Sequence, residues 1–338
     1  MVSVDDIRAE QVTTRYAVSI RMAGLGDCLI SLAAAWLYAR GTGRKLIIDW
    51  RFGYLSPDGQ TNAFALCFRN TGQLAGVPFI GDNSVTHLEL PVPRYPFIWN
   101  HKLLLQQPMF RPGNLQNAHR KAAVNLILSN RDRPEPVVVF DGCINDGIVR
   151  FQDAREFFRA LEPVERVAEA VEEFRRQRFE GRPVVGLHIR HGNGGDIMGH
   201  ARHWHSFQDA IARCRRCVEF AREKLGRDAS VFLCTDSFEV EEAVSALVPG
   251  VFTRPKRFRP QGEGELHYGP DARQGRNDTL VEMLLLSHTQ ALIRYPPPSF
   301  FSLYGAVMTS RTQPPPETLY DLHSEFDKAD PLSPALIL

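Results

Sequence analysis

Short runs of Val, Ile and Leu alternate with amphipathic helical patterns along the chain, and this alternation limits the fold more than any other feature. The predicted strands are residues 16–22, 45–50, 136–142, 183–190, 231–236 and 290–295. The predicted helices are residues 28–40, 155–177 (as one helix or two), 205–225, 238–248 and 278–288. Strands that alternate with helices form parallel sheets covered on both faces, so the sequence predicts an α/β fold.

A second strand–helix series begins near residue 183, after a long charged helical stretch, and this predicts two α/β domains. We place the boundary near 178–182, which gives Rossmann-like domains of residues 1–180 and 181–338. The net charge of +1 over 338 residues does not favour nucleic acid or an acidic membrane surface as a partner. The sequence has no run of 18 uncharged apolar residues and no signal-peptide pattern, so a cytoplasmic protein without a transmembrane segment is expected.

Six cysteines are too few for a disulfide framework in a chain of this length. Cys214 and Cys217 form one C-x-x-C pair, which could be a redox pair or half of a zinc site. Both fall at helical spacing with apolar neighbours, however, and we interpret them as buried small apolar residues.

The most informative stretch is GLHIRHGNGGDIMGH, where a predicted strand runs into glycines. Side chains alternate along a strand, so Leu187 and Ile189 face one side. His188 and Arg190 face the other side. Polar residues at the carboxyl end of a buried parallel strand point into the crevice where open α/β sheets bind ligands, and arginine suits bidentate phosphate binding. A ligand site is predicted here; a buried ion pair and a core histidine are the structural alternatives.

The residues after this strand supply a flexible backbone that can wrap a ligand, at His191, Gly192 and Asn193. Asp196 follows them and could reach a sugar hydroxyl or act as a base. Five histidines lie within eighteen residues, a pattern that also occurs in metal sites: His188, His191, His200, His203 and His205. Arg190 would repel a cation and no carboxylate–histidine helix motif is present, so no metal is expected.

Two other segments place polar residues where a strand gives way to a helix. Gly24, Gly26 and Asp27 follow the first strand. They form either a ligand loop in a cleft, facing the ligand site predicted above, or a turn in which Asp27 caps the helix. Asp236 and Ser237 follow a later strand. There a carboxylate could accept hydrogen bonds from a guanine edge or a ribose, or could cap the next helix.

The last candidates come from the region after residue 250. Glu282 is a lone acid in an apolar helix, and such acids often make a specific contact, with a surface position as the alternative. Ser299 and Phe300 follow the last strand, and a helix directly after Ser299 would offer an anion cradle or an ordinary N-cap. The chain has no Asp-x-Asp metal clamp, so positive side chains and helix ends must neutralise a leaving diphosphate. A basic run could attract an anionic ligand, but we interpret it as a solvated face: Arg254, Lys256, Arg257 and Arg259.

Together the motifs G-L-G-D-C, H-I-R-H-G-N-G-G-D-I-M-G-H, F-L-C-T-D-S and V-E-M-L-L-L, in this order over about residues 17–305, resemble those of the NodZ-like bacterial α-1,6-fucosyltransferases. The resemblance implies a GT-B architecture, in which an N-terminal acceptor-side domain faces a C-terminal GDP-sugar-binding domain across a cleft. It implies GDP-fucose as donor, no cofactor, and inverting, metal-independent transfer. The acceptor would be the 6-hydroxyl of the reducing-end N-acetylglucosamine of a chitooligosaccharide of the Nod-factor type.

The resemblance also implies roles for individual residues. His188 and Arg190 would bind the nucleotide diphosphate, with 191–193 beside them. Asp236 would hold the guanine, and Ser299 would contact a phosphate.

The expected reaction is a single displacement at the anomeric carbon, in which Arg190 stabilises GDP as it leaves. The candidate bases are Asp196, Glu282 and Asp27, and we favour Asp196 because it lies in the glycine loop beside Arg190. The alternatives are a transferase for another nucleotide sugar or acceptor, and a sugar-nucleotide-binding protein without catalysis.

Overall fold

The computed structural model describes residues 14–53, 55–100, 126, 131–141, 149–192, 206–258, 272–296, 299–311, 315, 317 and 334–338. The chain divides into two units, each with its own sheet. The first unit comprises Met1–Val149 with Arg159–Pro163, and the second comprises Arg150–Phe158 with Val164–Leu338.

The strands of the first unit are β1 (Tyr16–Ser19), β2 (Lys45–Ile48), β3 (Gln73–Leu74), β4 (Val77–Ile80), β5 (Arg94–Tyr95) and β6 (Val137–Phe140). They pair in the order β3-β4-β2-β1-β6-β5. All of these pairs are parallel except β3 with β4. The central strands are almost wholly apolar and buried, as expected of a parallel sheet covered on both faces.

The helices of the first unit are α1 (Leu25–Thr42) and α2 (Ala63–Cys67). α1 is apolar around most of its circumference, and it ends at Gly43, whose φ of 67° lies in the left-handed region. The sequence places the start of this helix at residue 28. It begins three residues earlier, so Gly24 is its N-cap residue and Gly26 and Asp27 lie in its first turn rather than in a loop.

The strands of the second unit are β7 (Val184–Ile189), β8 (Ser230–Thr235), β9 (Val251–Thr253), β10 (Ala291–Tyr295) and β11 (Ala335–Ile337). They pair in the order β11-β10-β7-β8-β9. β11 runs antiparallel to β10, and the other pairs are parallel. The carboxyl ends of β7, β8 and β10 therefore lie at the same edge of the sheet.

The helices of the second unit are α3 (Phe151–Arg159), α4 (Glu165–Arg178), α5 (Phe207–Leu225), α6 (Phe238–Leu247), α7 (Ala272–Leu286) and α8 (Leu303–Thr309). α5 and α6 share a core with one face of the sheet. Cys214 and Cys217 of α5 lie in this core as free thiols, which confirms their prediction as buried apolar residues.

All six predicted strands are present, and the predicted helix 155–177 is two helices, α3 and α4. The sequence-based boundary at 178–182 assigns both of these helices to the first domain. The structure groups α4 and all of α3 except Arg159 with the second unit: α4 packs against α7, and Phe158 of α3 packs against Tyr304 of α8.

Candidate functional site

Three neighbouring strands of the second sheet place polar side chains in one row. Arg294 of β10 is in register with His188 of β7, and His188 is in register with Cys234 of β8. Residues in register on parallel strands face the same side of the sheet. Leu187 and Ile189 lie in the core on the opposite side. This is the alternation that the sequence predicts for β7.

A cavity opens at the carboxyl edge of these strands. It is lined by His188, Arg190, Cys234, Thr235, Asp236, Thr279, Glu282 and Phe301. Four of these residues were predicted to be functional, and they come from three separate segments of the chain: His188, Arg190, Asp236 and Glu282. Open α/β sheets bind ligands at this edge, so the cavity is the candidate site.

Asp236 fixes the start of the loop that follows β7. Its carboxylate accepts the backbone N–H of His191 at 2.8 Å and that of Gly192 at 3.0 Å. Nε of Arg190 lies 3.9 Å from the same carboxylate. Gly192 has a φ of 78°, a conformation that favours glycine. Asp236 therefore holds the loop backbone and Arg190 together at the mouth of the cavity.

The helix-cap interpretation of Asp236 is wrong, since Ser237 is the N-cap residue of α6. Oγ of Ser237 accepts the N–H of Val240, and Nδ1 of His191 lies 3.0 Å from the same oxygen. Ser237 thus joins the start of α6 to the loop after β7.

His188 is almost fully buried, and its ring is held on two sides. Nδ1 lies 3.0 Å from Oγ of Ser302, and the ring centroid lies 4.8 Å from that of Phe301. Burial, and after it the charges of nearby arginines and a lysine, lowers the pKa of His188 well below its usual range. The imidazole is therefore neutral at pH 7.

Arg294 is a fully buried arginine that the sequence analysis did not single out. Its Nε donates to Oγ of Ser302 at 2.9 Å, and one Nη donates to the carbonyl of Ser299 at 2.6 Å. Burial lowers the pKa of Arg294 to about 9, so the guanidinium still carries its charge at neutral pH. The signal that could have found it is a charged residue in the otherwise apolar strand ALIRY, because a buried charge needs a specific environment.

The helix expected directly after Ser299 does not begin there. α8 begins at Leu303, with Ser302 as its N-cap residue. Ser299 lies in the preceding turn, where its carbonyl accepts from Arg294. Phe300 is half-buried, and its carbonyl accepts the N–H of Leu303. The anion cradle predicted from a helix N-terminus at Ser299 is therefore wrong.

Glu282 makes the specific contact expected of a lone acid in an apolar helix. Its Oε1 accepts a hydrogen bond from Nζ of Lys256 at 2.7 Å, and the two side chains are only 9% and 4% exposed. Burial raises the pKa of Glu282. Burial alone would lower the pKa of Lys256, but the adjacent carboxylate reverses this and leaves that pKa raised. The result is a buried ion pair whose carboxylate residue, Glu282, forms part of the cavity wall.

The basic run after β9 is not a solvated face, which corrects the interpretation from the sequence. Arg254 forms an ion pair with Asp278, and Lys256 forms one with Glu282. The two acids are four residues apart on α7 and so project from one face of that helix. Arg257 is exposed, and residue 259 lies outside the described part of the chain.

Other predicted residues lie elsewhere. Asn193 and Asp196 fall outside the described residues. Gly24, Gly26 and Asp27 belong to the first unit, where the carboxylate of Asp27 is 3.7 Å from Nη2 of Arg21. No side chain caps α1, so the cap interpretation of Asp27 is wrong.

Metal-ligand clusters and membrane-spanning helices are both absent from the residues that the structure describes. Among these residues, no three His, Cys, Asp or Glu side chains come together as a metal ion would require. None of the helices described there is long and apolar enough to cross a bilayer.

The chain has two α/β units, with a cavity lined by charged and polar side chains at the carboxyl edge of the second sheet, an arrangement typical of α/β proteins that bind a nucleotide there. Its sequence matches the family of Nodulation protein Z (NodZ) over residues 13–315, and the chain belongs to this family. It is 36% identical over 318 residues to Nodulation protein Z of Bradyrhizobium diazoefficiens, covering 94% of this chain and 82% of the relative. It is 37% identical over 298 residues to Nodulation protein Z of Azorhizobium caulinodans, covering 88% and 90%.

Solved structures agree with this assignment. The crystal structure of NodZ α-1,6-fucosyltransferase soaked with GDP-fucose has a TM-score of 0.73 and 30% identity, and the alignment covers 88% of this chain and 93% of that one. A mutant of Arabidopsis thaliana FUT1 in complex with GDP has a TM-score of 0.51 at 14% identity, over 91% of this chain and 73% of that one. FUT1 therefore shares the fold alone. These similarities confirm the predicted family and fold class.

Proposed function

We propose that this chain transfers fucose from GDP-fucose to the 6-hydroxyl of the reducing-end N-acetylglucosamine of a chitooligosaccharide. The supporting observation is the cavity at the carboxyl edge of β7 and β8, in a chain of the NodZ family. A NodZ α-1,6-fucosyltransferase has been co-crystallised with GDP and soaked with GDP-fucose. The proposal includes inversion at the anomeric carbon and no metal requirement.

The donor is proposed to bind the second unit, and the acceptor to bind the first. A diphosphate is suited to the cavity because Arg190 and His188 line it and the charged Arg294 lies next to His188 in the sheet. Asp236 uses one lone pair of each oxygen for the loop N–H groups, and each oxygen keeps another. The proposed contact between Asp236 and the guanine edge is therefore compatible with its role in the loop.

In the proposed reaction, O6 of the acceptor attacks the anomeric carbon of fucose while the bond from that carbon to the diphosphate oxygen breaks. The electron pair leaves with GDP, whose developing charge Arg190 stabilises. A carboxylate takes the O6 proton, and Asp196 remains the favoured base because of its place in the loop sequence. Glu282 is the second candidate; its raised pKa suits a base, but Lys256 already binds one of its oxygens. Asp27 is the weakest, because Arg21 lies beside its carboxylate.

The experiment is mass spectrometry of chitotetraose incubated with the protein, GDP-fucose and excess EDTA. The expected product is one fucose heavier, with the fucose on the reducing-end sugar. NMR of that product should show an α-linkage to O6, which from a β-linked donor means inversion. Loss of product on chelation would refute the metal-independent reaction. Absence of any GDP binding by calorimetry would refute the donor site.

Arg190→Ala and Arg190→Lys form a matched pair for this assay. The alanine variant should lose about 2.7–4 kcal/mol of transition-state stabilisation, as other donors to developing negative charge do. The lysine variant keeps a positive charge without the planar fork and should recover part of the rate. Full activity in Arg190→Ala would remove this residue from the mechanism.

A further inference from the structure

The hydroxyl of Ser302 contacts two other side chains beneath the cavity. Its Oγ lies 2.9 Å from Nε of Arg294 and 3.0 Å from Nδ1 of His188. All three side chains are buried, with Arg294 and Ser302 completely so. The protons in this group can therefore be assigned by counting donors and acceptors.

Nε of a guanidinium can only donate, so Ser302 Oγ accepts from Arg294. The bond between Ser302 and His188 could run in either direction. If Nδ1 carried the proton and donated, the hydroxyl proton of Ser302 would need another acceptor. Within the described part of the chain, Oγ has no partner other than these two. A buried donor without an acceptor is unfavourable, so the hydroxyl donates to Nδ1.

The direction of this bond determines whether Nε2, the other nitrogen of the imidazole ring, carries a proton. A neutral imidazole carries one proton, and with Nδ1 accepting, that proton is on Nε2. Burial and the surrounding cationic groups, Arg294, Arg190 and Lys256, keep the ring neutral. Within the described residues, Nε2 has no hydrogen-bond partner. It is nevertheless not sealed from solvent. Since His188 lines the cavity, Nε2–H is the polar group that it presents there.

We infer that Ser302, oriented by Arg294, is a positioning residue that fixes His188 as the Nε2–H tautomer and so aims one uncharged N–H donor at the diphosphate of the donor sugar nucleotide. This inference rests on the function proposed above for the identity of the ligand. The tautomer itself does not depend on that proposal. A neutral donor binds the diphosphate without gaining or losing a proton, whereas Arg190 supplies the charge.

The direct test is two-bond ¹H–¹⁵N correlation NMR of ¹⁵N-histidine-labelled protein at pH 7, with His188→Gln used to assign the signal. The expected spectrum shows a protonated Nε2 and an unprotonated Nδ1 for His188. A protonated Nδ1, or a ring protonated on both nitrogens, would overturn the inference. This result needs no ligand, so it stands even if the protein proves not to bind GDP.

The functional test compares Ser302→Ala with Ser302→Thr, which keeps the hydroxyl. Ser302→Ala should populate both tautomers and weaken GDP binding roughly tenfold by calorimetry, as loss of one oriented hydrogen bond implies. Ser302→Thr should restore both the single tautomer and the affinity. Ser287→Ala is the control, because that hydroxyl only bonds the carbonyl of Leu284 at the end of α7.

The outcomes separate the two proposals. Unchanged GDP affinity in Ser302→Ala, with His188 redistributed between tautomers, overturns the positioning role. No GDP affinity in the unmodified protein instead refutes the proposed function, and the spectrum still decides the arrangement of His188.

Discussion

Replacing Lys256 by Met should destabilise the second unit by about 3–5 kcal/mol, because the change leaves the carboxylate of Glu282 as a buried charge without its partner. The ion pair has an N–O distance of 2.7 Å and side chains that are 4% and 9% exposed. Methionine is an unbranched apolar side chain that fills much of the space of the lysine stem. The loss of unfolding free energy therefore comes mainly from the unpaired carboxylate and not from a cavity. Replacing both residues by Met should restore most of the stability, since no buried charge remains.

The assay is urea unfolding at pH 7, followed by circular dichroism. The chain has two units that can unfold in separate steps, so the transition that the variant shifts is fitted by itself. The matched control is Arg215→Met, which breaks the exposed pair of Arg215 and Glu219 on α5, whose side chains are 51% and 53% exposed. Such exposed helix pairs contribute about 0.3–0.5 kcal/mol, so the control should change little.

The stability of Lys256→Met should depend on pH in a defined direction. Burial raises the pKa of Glu282 in the folded state. Without Lys256, the positive charge that still opposes this rise is that of Arg254, whose effect is weaker. A group with a raised pKa in the folded state stabilises the fold at low pH and loses that contribution as the pH rises through the raised value. The variant should therefore regain stability as the pH falls from 7 toward 5. A loss at pH 7 below about 1 kcal/mol, the range of exposed pairs, would refute the reasoning.

Three further predictions concern the cavity edge and the core. Asp236→Asn removes the charge beside Arg190 and one of the acceptors for the N–H groups of His191 and the next residue. We expect roughly tenfold weaker GDP binding by calorimetry, and unchanged affinity would contradict this role. Arg190→Ala should lower kcat by about 10²–10³ in the fucose-transfer assay, with partial recovery in Arg190→Lys. The thiols of Cys214 and Cys217 should resist iodoacetamide at pH 8 until the protein unfolds, because burial raises the pKa of Cys214 well above its usual range and that of Cys217 to about 11; peptide mass spectrometry would detect early alkylation, which would contradict their burial.

Local patterns predict the architecture and part of the site. Residues 183–190 form a strand because they are rich in Val, Ile and Leu, and the period of two assigns His188 and Arg190 to the cavity side. Asp236 reaches the same cavity because parallel strands end at one edge. Residue spacing and the geometry of a sheet are enough to place these three side chains.

Contacts between distant segments could not be predicted in this way. Ser302 and His188 are 114 residues apart and meet only through the packing of the segment after β10 beside β7. Lys256 lies in a run of basic residues, a pattern typical of a solvated surface. Its burial depends on the ion pair with Glu282 of α7. The start of α8 was misplaced because Ser299 uses its N–H in a turn before the helix begins.

The short strand β11 has a consequence for assembly. It covers the outer edge of β10, with Ala335 in register with Arg294. An uncovered apolar strand edge is a template for pairing with other chains, and short edge strands protect against this. A chain cut before residue 335 would expose the backbone of the very strand that carries Arg294. We therefore expect such a chain to aggregate through that edge. We also expect it to lose the hydrogen bonds of Arg294 and Ser302 that hold His188 in place.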